Sequence, residues 1–273
     1  MSAPTLPPLG DVIRRFGLGA RKKLGQHFLL DMNLTRRIAR AAGDLTTGTT
    51  IEIGPGPGGL TRALLEAGAE NLIAIEHDQR CIEALTELHD AFPGRLQIIE
   101  ADALKTDLLA LGPGPVRIVA NLPYNISTPL LIGWLKNAAH YESMTLMFQK
   151  EVADRLNAIP KTKEYGRLSV MTQWLAEVKP LFNVDKSAFT PPPKVMSTVV
   201  QIKPFATPLV PAPWDAMEHV VRDAFGQRRK MLRQSLKSFS FDFEALSIDP
   251  TLRAENLSVG DFARLAVAST EES

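Results

Sequence analysis

A glycine-rich turn between a strand and a helix constrains the fold of this chain more than any other feature. The β-branched run at residues 49–53 leads into Gly54-Pro55-Gly56-Pro57-Gly58-Gly59, and an apolar helical pattern follows at residues 60–67. Glycines at such a turn let the backbone approach a ligand closely, and they carry a high entropic cost on folding. The pattern therefore predicts an α/β unit with a ligand site at this turn.

Short apolar strands alternate with helical segments through the first half of the chain. Strands are predicted at residues 49–53, 71–75, 96–99, 116–120 and 144–148. Apolar side chains fill both faces of these strands, which is typical of a parallel sheet covered by helices on both sides. Ligands of such sheets bind beyond the carboxyl ends of the strands. The candidate site residues are therefore expected at those ends.

Four prolines within ten residues mark a break late in the chain. Pro204, Pro208, Pro211 and Pro213 remove amide donors and fix φ, which predicts a linker. Helical spacing follows at residues 214–225, 229–239 and 259–267. The predicted organisation is a flexible N-terminal arm (1–20), a larger α/β domain (21–203), a linker (204–213) and a smaller all-helical domain (214–273).

The charge is nearly balanced over the whole chain but not along it. There are 31 basic and 30 acidic residues, for a formal net charge of +1. Residues 1–40 carry eight basic and two acidic residues, whereas residues 41–120 carry five basic and twelve acidic ones. The first 40 residues are basic and the next 80 are acidic. Because the basic residues are concentrated in one segment, the near-neutral total does not exclude a nucleic-acid partner.

Composition also limits the class of protein. A chain of 273 residues with 45% apolar residues is neither disordered nor a small disulfide scaffold. Cys81 is the single cysteine, and the sequence has no CxxC or HxxxH pair, so we expect no disulfide, no metal and a reduced cytoplasmic location. We expect neither a signal peptide nor a membrane span, because no apolar run approaches the roughly 20 residues that a span needs.

The glycines of the turn match a cofactor-binding spacing. Gly54, Gly56 and Gly59 satisfy GxGxxG, which occurs in sites for dinucleotides and for S-adenosylmethionine. Pro55 and Pro57 favour S-adenosylmethionine slightly, because a pyrophosphate binds to free amides that prolines lack. The spacing by itself leaves both cofactors open, and a turn without a ligand is a third interpretation.

Two carboxylates follow the next two strands. Glu76 ends a strand about 20 residues after the glycine loop, where a carboxylate can accept hydrogen bonds from both ribose hydroxyls. Asp102 follows the third strand, where it could accept from an adenine amino group. The alternatives are a solvated strand-end acid for Glu76 and a helix cap for Asp102.

The run Asn121-Leu122-Pro123-Tyr124 ends the fourth predicted strand and suits chemistry on an amine. The exocyclic amine of a nucleobase becomes nucleophilic when acceptors on its N–H groups localise the lone pair. The Asn121 side-chain oxygen and the Leu122 carbonyl can be those acceptors, and Pro123 stiffens the loop that presents the carbonyl. Tyr124 offers a face on which a base can stack. The alternative is a proline loop with a packed tyrosine.

Several blocks in this order resemble the ribosomal RNA adenine dimethyltransferases, over residues 20–268. They are Leu24-Gly25-Gln26-His27-Phe28-Leu29, the glycine loop, Glu76, Asp102, Asn121–Thr128, Gln149-Lys150-Glu151-Val152, Tyr165-Gly166-Arg167-Leu168-Ser169 and Phe189-Thr190-Pro191-Pro192-Pro193-Lys194-Val195. The tail with Arg228-Arg229-Lys230 and residues 253–257 resembles the small-subunit branch of this family.

The resemblance implies a fold and an activity. The fold is a class I S-adenosylmethionine-dependent methyltransferase sheet, which is Rossmann-like, with a smaller C-terminal all-helical domain. The implied reaction is N6,N6-dimethylation of two adjacent adenosines in the 3′-terminal hairpin loop of 16S rRNA, with S-adenosylmethionine as donor. The implied partner is 16S rRNA within the immature small ribosomal subunit, and we expect a monomer that binds no metal and no membrane.

The resemblance also assigns residues to the cofactor and to the base. Those implied to contact the cofactor are His27, Leu29, Gly54, Gly56, Glu76, Asp102 and Asn121. Phe189 is implied to be a second stacking face opposite Tyr124, or else an ordinary core residue. Relatives often carry asparagine where His27 stands; an imidazole there can donate to the methionine carboxylate and makes binding sensitive to pH. A packed or surface histidine is the alternative.

Two basic clusters are candidates for RNA phosphates. The first is Arg21-Lys22-Lys23, before the cofactor segment. The second comprises Arg228, Arg229, Lys230 and Arg233, which are predicted to lie with Lys237 on one helix. Such clusters make RNA binding fall steeply with salt. A solvated helix face is the alternative.

Three other functions stay open from the sequence. A methyltransferase of the erythromycin-resistance type acts on a large-subunit adenosine, but Leu122 and the helical tail favour the small-subunit branch. A non-catalytic ribosome-assembly factor would keep the fold, although intact Asn121 and Tyr124 favour an active enzyme. A nicotinamide oxidoreductase is supported by the glycine loop alone.

Overall fold

The computed structural model describes residues 6–19, 26–208 and 210–271. The chain divides into two compact units. The first comprises Met1–Lys150 and Lys179–Lys203, and the second comprises Glu151–Val178 and Pro204–Ser273. Residues 151–178, which the sequence assigns to the larger domain, thus group by contacts with the C-terminal helices. The functional labels of the two domains stay predictions.

The described residues form nine strands and ten α-helices. The strands are β1 (Phe28–Leu29), β2 (Thr49–Ile53), β3 (Leu72–Glu76), β4 (Leu96–Glu100), β5 (Val116–Asn121), β6 (Tyr141–Gln149), β7 (Ala176–Val184), β8 (Phe189–Thr190) and β9 (Ser197–Pro204). The helices are α1 (Leu9–Arg15), α2 (Met32–Ala41), α3 (Gly59–Glu66), α4 (Gln79–Ala91), α5 (Ser127–Leu135), α6 (Lys150–Leu156), α7 (Arg167–Leu175), α8 (Trp214–Gly226), α9 (Leu232–Ser235) and α10 (Val259–Glu271).

The main sheet in the described residues has seven strands in the order β4-β3-β2-β5-β6-β9-β7. Strands β2 to β6 pair in parallel, and β9 pairs antiparallel to β6. Every residue of β2 and β3 is buried, as expected for strands covered on both faces. The predicted α/β sheet is confirmed, and its first two parallel strands lie within one residue of the expected bounds.

The apolar core of the first unit joins helices to one face of this sheet. Side chains from α2 and α3 pack with residues of β3, β5, β6 and β9. The topology brings the carboxyl ends of β2, β3, β4 and β5 to one edge, because these four strands are adjacent and parallel. The turns that follow those strands carry the predicted site residues.

A second, two-stranded sheet connects distant parts of the first unit. Strand β1 pairs antiparallel with β8, and Leu29 lies opposite Phe189. This pairing brings the segment before α2 next to the proline loop that follows β8. Local sequence patterns cannot predict this pairing, because the two strands are about 160 residues apart in the chain.

The N-terminal segment is not a free arm in its described part. Residues 9–15 form α1, and Leu9, Val12 and Leu18 are buried. Arg15 makes a bidentate ion pair with Glu87 on α4. Apolar burial on one face of α1 therefore attaches this segment to the first unit, against the expectation of a flexible arm for residues 1–20.

Helices α7, α8, α9 and α10 lie in the second unit, and aromatic side chains pack between elements of it. Tyr165 packs edge-on against Phe225 of α8, and Phe225 stacks on Phe262 of α10 at a ring distance of 5.5 Å. Tyr165 is fully buried, and burial raises the pKa of its hydroxyl.

The predicted helix at residues 229–239 is wrong. Helix α8 ends at Gly226, and α9 contains only Leu232–Ser235. The Lys230 N–H donates to the Gln227 carbonyl and closes a turn, and Met231 pairs with Arg253 in an isolated bridge. Because of these contacts, the backbone between α8 and α9 is not helical.

None of the helices in the described ranges is long and apolar enough to cross a lipid bilayer.

Candidate active site

A cavity of about 350 Å³ lies at the carboxyl ends of β2, β3, β4 and β5 in the first unit. It is lined by five segments that the sequence singled out, namely residues 26–29, the glycine loop, the end of β3, the residues just after β4, and residues 121–126. Cavities of this size bind small molecules of a few hundred daltons. The predicted location of the site at this edge of the sheet agrees with the cavity.

The glycine loop is shaped by close backbone contacts. A Cβ on Gly59 would lie 2.8 Å from the Leu29 carbonyl oxygen, so a side chain is excluded there. Gly56 has a φ of 56°, and its N–H donates to the Glu76 carboxylate over 3.1 Å. The loop therefore packs against β1 and helps to hold a carboxylate at the cavity.

Three main-chain amides fix the Glu76 carboxylate. Its Oε2 accepts from the Gly56 N–H, and its Oε1 accepts from the N–H groups of His77 and Asp78, at 2.9 and 3.0 Å. Glu76 is 6% exposed. A carboxylate offers about four acceptor positions, so one is still open toward the cavity. Glu76 is thus held in one orientation with capacity for a ligand hydroxyl.

Glu52 is a buried acid at the cavity that the sequence reasoning missed. It is 1% exposed, and its Oε2 has no hydrogen-bond partner among the described residues. Burial raises its pKa to about 8; Thr61 opposes this shift, and the nearby Glu76 carboxylate adds to it. The sequence signal was an acid inside the otherwise uncharged strand before the glycine loop.

Asp102 lies at the cavity mouth and is half-exposed. Its Oδ1 accepts from the Leu104 N–H at 3.0 Å, which caps its own turn. No helix begins at Asp102 in the described residues, so this bond closes a turn and does not cap a helix. The second carboxylate oxygen faces Lys105 at 3.9 Å. The adenine role of Asp102 stays a prediction, and the turn uses one oxygen only.

A hydrogen bond orients the Asn121 amide. Its Nδ2 donates to the His27 carbonyl over 3.0 Å. The side-chain oxygen, Oδ1, is on the opposite branch of the amide and is the acceptor that the predicted chemistry requires. The N-terminal segment thus sets the direction of an acceptor at the end of β5.

The next three residues form a tight loop that lines the cavity. Leu122 is buried, and the Pro123 carbonyl accepts from the Ile126 N–H just before α5. The Tyr124 hydroxyl and the Ser197 hydroxyl are 2.6 Å apart. Burial raises the pKa of Tyr124. The tyrosine is thus anchored at its hydroxyl end, with its ring at the cavity wall.

Phe189 does not line the cavity. It is 2% exposed and belongs to the apolar core of the first unit. Instead, the His27 imidazole lies against Tyr124, with ring centroids 5.4 Å apart and planes 28° apart. His27 also meets Phe189 edge-on at 6.5 Å. The predicted stacking face at Phe189 is thus covered in this structure, and its role stays a prediction.

The second predicted basic cluster lies in the second unit. One of its members, Arg228, is engaged in contacts within the protein. The Arg228 Nε pairs with Glu255 at 2.9 Å, and its Nη2 donates to the carbonyls of Thr162 and Lys163 at 3.3 and 2.7 Å. Arg229, Lys230 and Arg233 are exposed. Arg21, Lys22 and Lys23 lie outside the described residues.

Possible metal ligands do not gather in the residues that the structure describes, where no group of three or more His, Cys, Asp or Glu side chains is placed to hold an ion. Cys81 is buried in α4.

Comparison with known proteins gives consistent matches. The family model described as ribosomal RNA adenine dimethylase matches residues 17–270. The chain is 62% identical over 266 residues to the ribosomal RNA small subunit methyltransferase A of Paramagnetospirillum magneticum, covering 96% of this chain and 95% of the relative. It is 61% identical over 267 residues to the protein of the same description in Rhodospirillum rubrum, covering 96% and 92%.

Two solved structures share the fold. A dimethyladenosine transferase from Plasmodium falciparum aligns with a TM-score of 0.75 and 28% identity, over 88% of this chain and 96% of that one. The 23S rRNA methyltransferase ErmE aligns with a TM-score of 0.67 and 26% identity, over 89% and 99%. The predicted methyltransferase-type sheet with a helical C-terminal part is confirmed by these two neighbours.

Proposed function

Because the chain belongs to the ribosomal RNA adenine dimethylase family, we propose that it transfers methyl groups from S-adenosylmethionine to N6 of two adjacent adenosines in the 3′-terminal hairpin loop of 16S rRNA, and that each adenosine is methylated twice. The observation that carries the proposal is the position of Asn121-Leu122-Pro123-Tyr124. This run ends β5 and lines the same cavity as the glycine loop and Glu76.

The residues at the cavity fit the proposed cofactor. S-adenosylmethionine carries a sulfonium and an ammonium group, and Glu52 is a buried carboxyl with a partnerless oxygen at the same cavity. A cation near Glu52 would restore its ionised form and so offset the burial that raises its pKa. The fit is therefore one of charge as well as of volume.

Most of the predicted cofactor residues have a stated part in this proposal, and Asn121 is assigned to the base. Glu76 accepts from a ribose hydroxyl at its open position, and Asp102 accepts from the adenine amino group. Gly54 and Gly56 keep side chains away from the ligand, and His27 and Leu29 also line the cavity. When bound there, the cofactor supplies an electrophilic methyl group.

The chain's own contribution to the reaction is alignment and polarisation. Asn121 Oδ1 and the Leu122 carbonyl would accept hydrogen bonds from the N6 amine, which localises its lone pair toward the methyl carbon. As the N–C bond forms, the bond from that carbon to the donor's sulfur would break, and the amine would lose one proton to solvent. Tyr124 provides a stacking face for the base, which has to leave its helix to reach Asn121. No strong general base is needed, because the methyl donor is already activated.

The basic residues are proposed to bind the RNA backbone. Arg229, Lys230 and Arg233 are exposed and suit phosphates, as do the predicted Arg21, Lys22 and Lys23. Arg228 contributes to RNA binding indirectly, because it holds the loop that contains Thr162 and Lys163. The proposed partner is 16S rRNA within the immature small ribosomal subunit, and we propose a cytoplasmic, monomeric enzyme.

The other functions are less well supported. The relatives at 61–62% identity are named for the small ribosomal subunit, whereas the 23S rRNA methyltransferase ErmE is 26% identical. A role in ribosome assembly is compatible with catalysis and could accompany it. Membership of the family argues against a nicotinamide oxidoreductase.

The proposal is tested by incubating the protein with S-adenosylmethionine that carries a labelled methyl group and with small subunits that lack the modification. We expect label at N6 of two adjacent adenosines near the 3′ end of 16S rRNA. Large subunits serve as the control substrate. Label in 23S rRNA, or no transfer to either subunit, would contradict the proposal.

A further inference from the structure

The contacts of His27 are mainly with the side of the cavity at which the base is proposed to bind. A role as a cofactor ligand does not account for them. Its imidazole packs on Tyr124 and meets Phe189 edge-on. Its Nδ1 lies 2.8 Å from the Pro191 carbonyl oxygen, and its own carbonyl accepts from Asn121. One residue thus contacts the end of β5, the loop after it and the loop after β8.

The contact with Pro191 determines the tautomer of the ring. A carbonyl oxygen can only accept, so Nδ1 must carry the proton at 2.8 Å. In the neutral ring, Nε2 is then an acceptor without a proton. The ring cannot turn over without losing this bond, so its plane against Tyr124 is fixed by the loop after β8.

The contact with Tyr124 fixes the other loop. The tyrosine ring is held at its hydroxyl by Ser197 and at one face by the imidazole. These two contacts leave the remaining face as the one that a base can stack on. The position of that face relative to Asn121 then depends on His27, because the same residue also orients the Asn121 amide through its carbonyl.

We infer that His27 is a positioning residue of the methyl-transfer reaction: its imidazole, held as the Nδ1–H tautomer by Pro191, sets the face of Tyr124 and the acceptor of Asn121 for the target adenine. The ring thus serves the base side of the cavity rather than the methionine carboxylate of the cofactor. This inference rests on the proposed function for its substrate, but the tautomer can be tested without it.

Three substitutions separate the two contacts of the ring. His27→Asn keeps a donor close to the position of Nδ1 but removes the ring. His27→Phe keeps a ring against Tyr124 but removes the donor. His27→Ala removes both. Melting temperatures of the three variants identify any that fail to fold.

Rates are measured in a single turnover on small subunits that lack the modification, with saturating S-adenosylmethionine. We expect His27→Ala to lower this rate at least about tenfold, because small misplacements of reacting groups are costly. His27→Asn and His27→Phe should each recover part of the loss. The Kd for S-adenosylmethionine should stay within about threefold in all three variants, because the inference assigns the ring to the base side of the cavity. A threefold change is a small difference in binding free energy.

Several outcomes would overturn the inference. An unchanged rate in His27→Ala would remove the positioning role. A full rescue by His27→Phe with none by His27→Asn would mean that the ring only fills space. A cofactor Kd raised more than about tenfold, with the rate at saturation retained, would assign the imidazole to the cofactor.

A spectroscopic measurement is independent of turnover. In ¹⁵N-histidine-labelled protein, two-bond correlations distinguish the Nδ1–H from the Nε2–H tautomer, and His27→Asn identifies the His27 signals among the five histidines. We expect the Nδ1–H form. An Nε2–H ring would contradict the inference even if methyl transfer is normal, whereas an Nδ1–H ring without transfer by the native protein would contradict the proposed function instead.

Discussion

The two sides of the cavity are built in different ways. On the cofactor side, Glu76 is held by amides of Gly56, His77 and Asp78, which lie within 20 residues of it. On the base side, Asn121 and Tyr124 are held by His27 and Ser197, which are 94 and 73 residues away. The cofactor side is therefore formed by local turns, while the base side depends on tertiary contacts.

This difference has a functional consequence. Main-chain amides are lost only when proline is introduced, so the cofactor side should tolerate most side-chain changes in distant elements. The base side should be sensitive to changes in the loops around His27 and Pro191. Binding of the cofactor and transfer of the methyl group should thus be separable by mutation.

The largest expected effect is that of Asn121→Ala on the rate. Loss of the Oδ1 acceptor removes a hydrogen bond that strengthens as the amine becomes nucleophilic, and comparable losses cost about 100- to 1,000-fold in rate. Single-turnover transfer measures this effect. The cofactor Kd should change only a few-fold, so a large rise in Kd would place Asn121 on the cofactor side instead.

Glu76→Ala should act mainly on binding. A hydrogen bond to a charged group contributes about 1.5–3 kcal/mol, so the Kd for S-adenosylmethionine should rise about 10- to 100-fold. Calorimetric titration measures it. Glu100→Ala is a matched control, because Glu100 ends the neighbouring strand and does not line the cavity. An unaltered Kd in Glu76→Ala would remove its ribose assignment.

Glu52 should make stability depend on pH. Its pKa is about 8 in the folded protein and about 4.5 when unfolded, so the folded state binds the extra proton between these values. The free energy of unfolding should therefore fall as pH rises from 5 to 8, by at most about 1.4 kcal/mol per pH unit.

The contribution of Glu52 is obtained by comparison with Glu52→Gln, an uncharged side chain of the same shape. Urea unfolding at pH 6 and pH 8 should show a smaller fall in the variant than in the native protein. Equal falls would mean that the buried carboxyl does not hold its proton. Addition of S-adenosylmethionine should reduce the difference, because its cationic groups favour the ionised carboxylate.

The smallest effects are expected at the basic cluster, where two roles are distinguished. Arg229→Ala and Lys230→Ala together should flatten the salt dependence of RNA binding, by about one unit of slope for each phosphate that is no longer neutralised. Arg228→Ala should instead lower the melting temperature, by roughly 2–4 °C for each kcal/mol of stability removed, because Arg228 holds Glu255 and the carbonyls of Thr162 and Lys163. A salt slope that changes equally in both would contradict this division.

Local features were predictable and long-range ones were not. The strand before the glycine loop and the loop itself follow from β-branched residues and glycines that act within a few positions. The β1–β8 pairing does not, because nothing near Phe28 indicates a partner about 160 residues away. The cap of α2 is also a local feature, because Asp31 accepts from the N–H groups of Asn33 and Leu34 just after it.

The base side shows why residue assignments were harder to predict than the fold. Motif order placed Tyr124 and Phe189 at opposite sides of a base, but Phe189 is in the core and His27 lies against Tyr124. Burial is a property of the whole packing arrangement, and a motif does not contain it. Arg228 is a similar case. The sequence shows that it belongs to a basic run, but it does not show that Arg228 forms an ion pair with Glu255.

The separation of the two sides is tested most directly by measuring Asn121→Ala and Glu76→Ala together, each for cofactor Kd and for the single-turnover rate at saturating S-adenosylmethionine. We predict that Asn121→Ala loses the rate and keeps the Kd, whereas Glu76→Ala weakens the Kd and keeps most of the rate once the site is filled. If both variants lose rate and affinity in parallel, the two sides act as one unit and their proposed separation is contradicted.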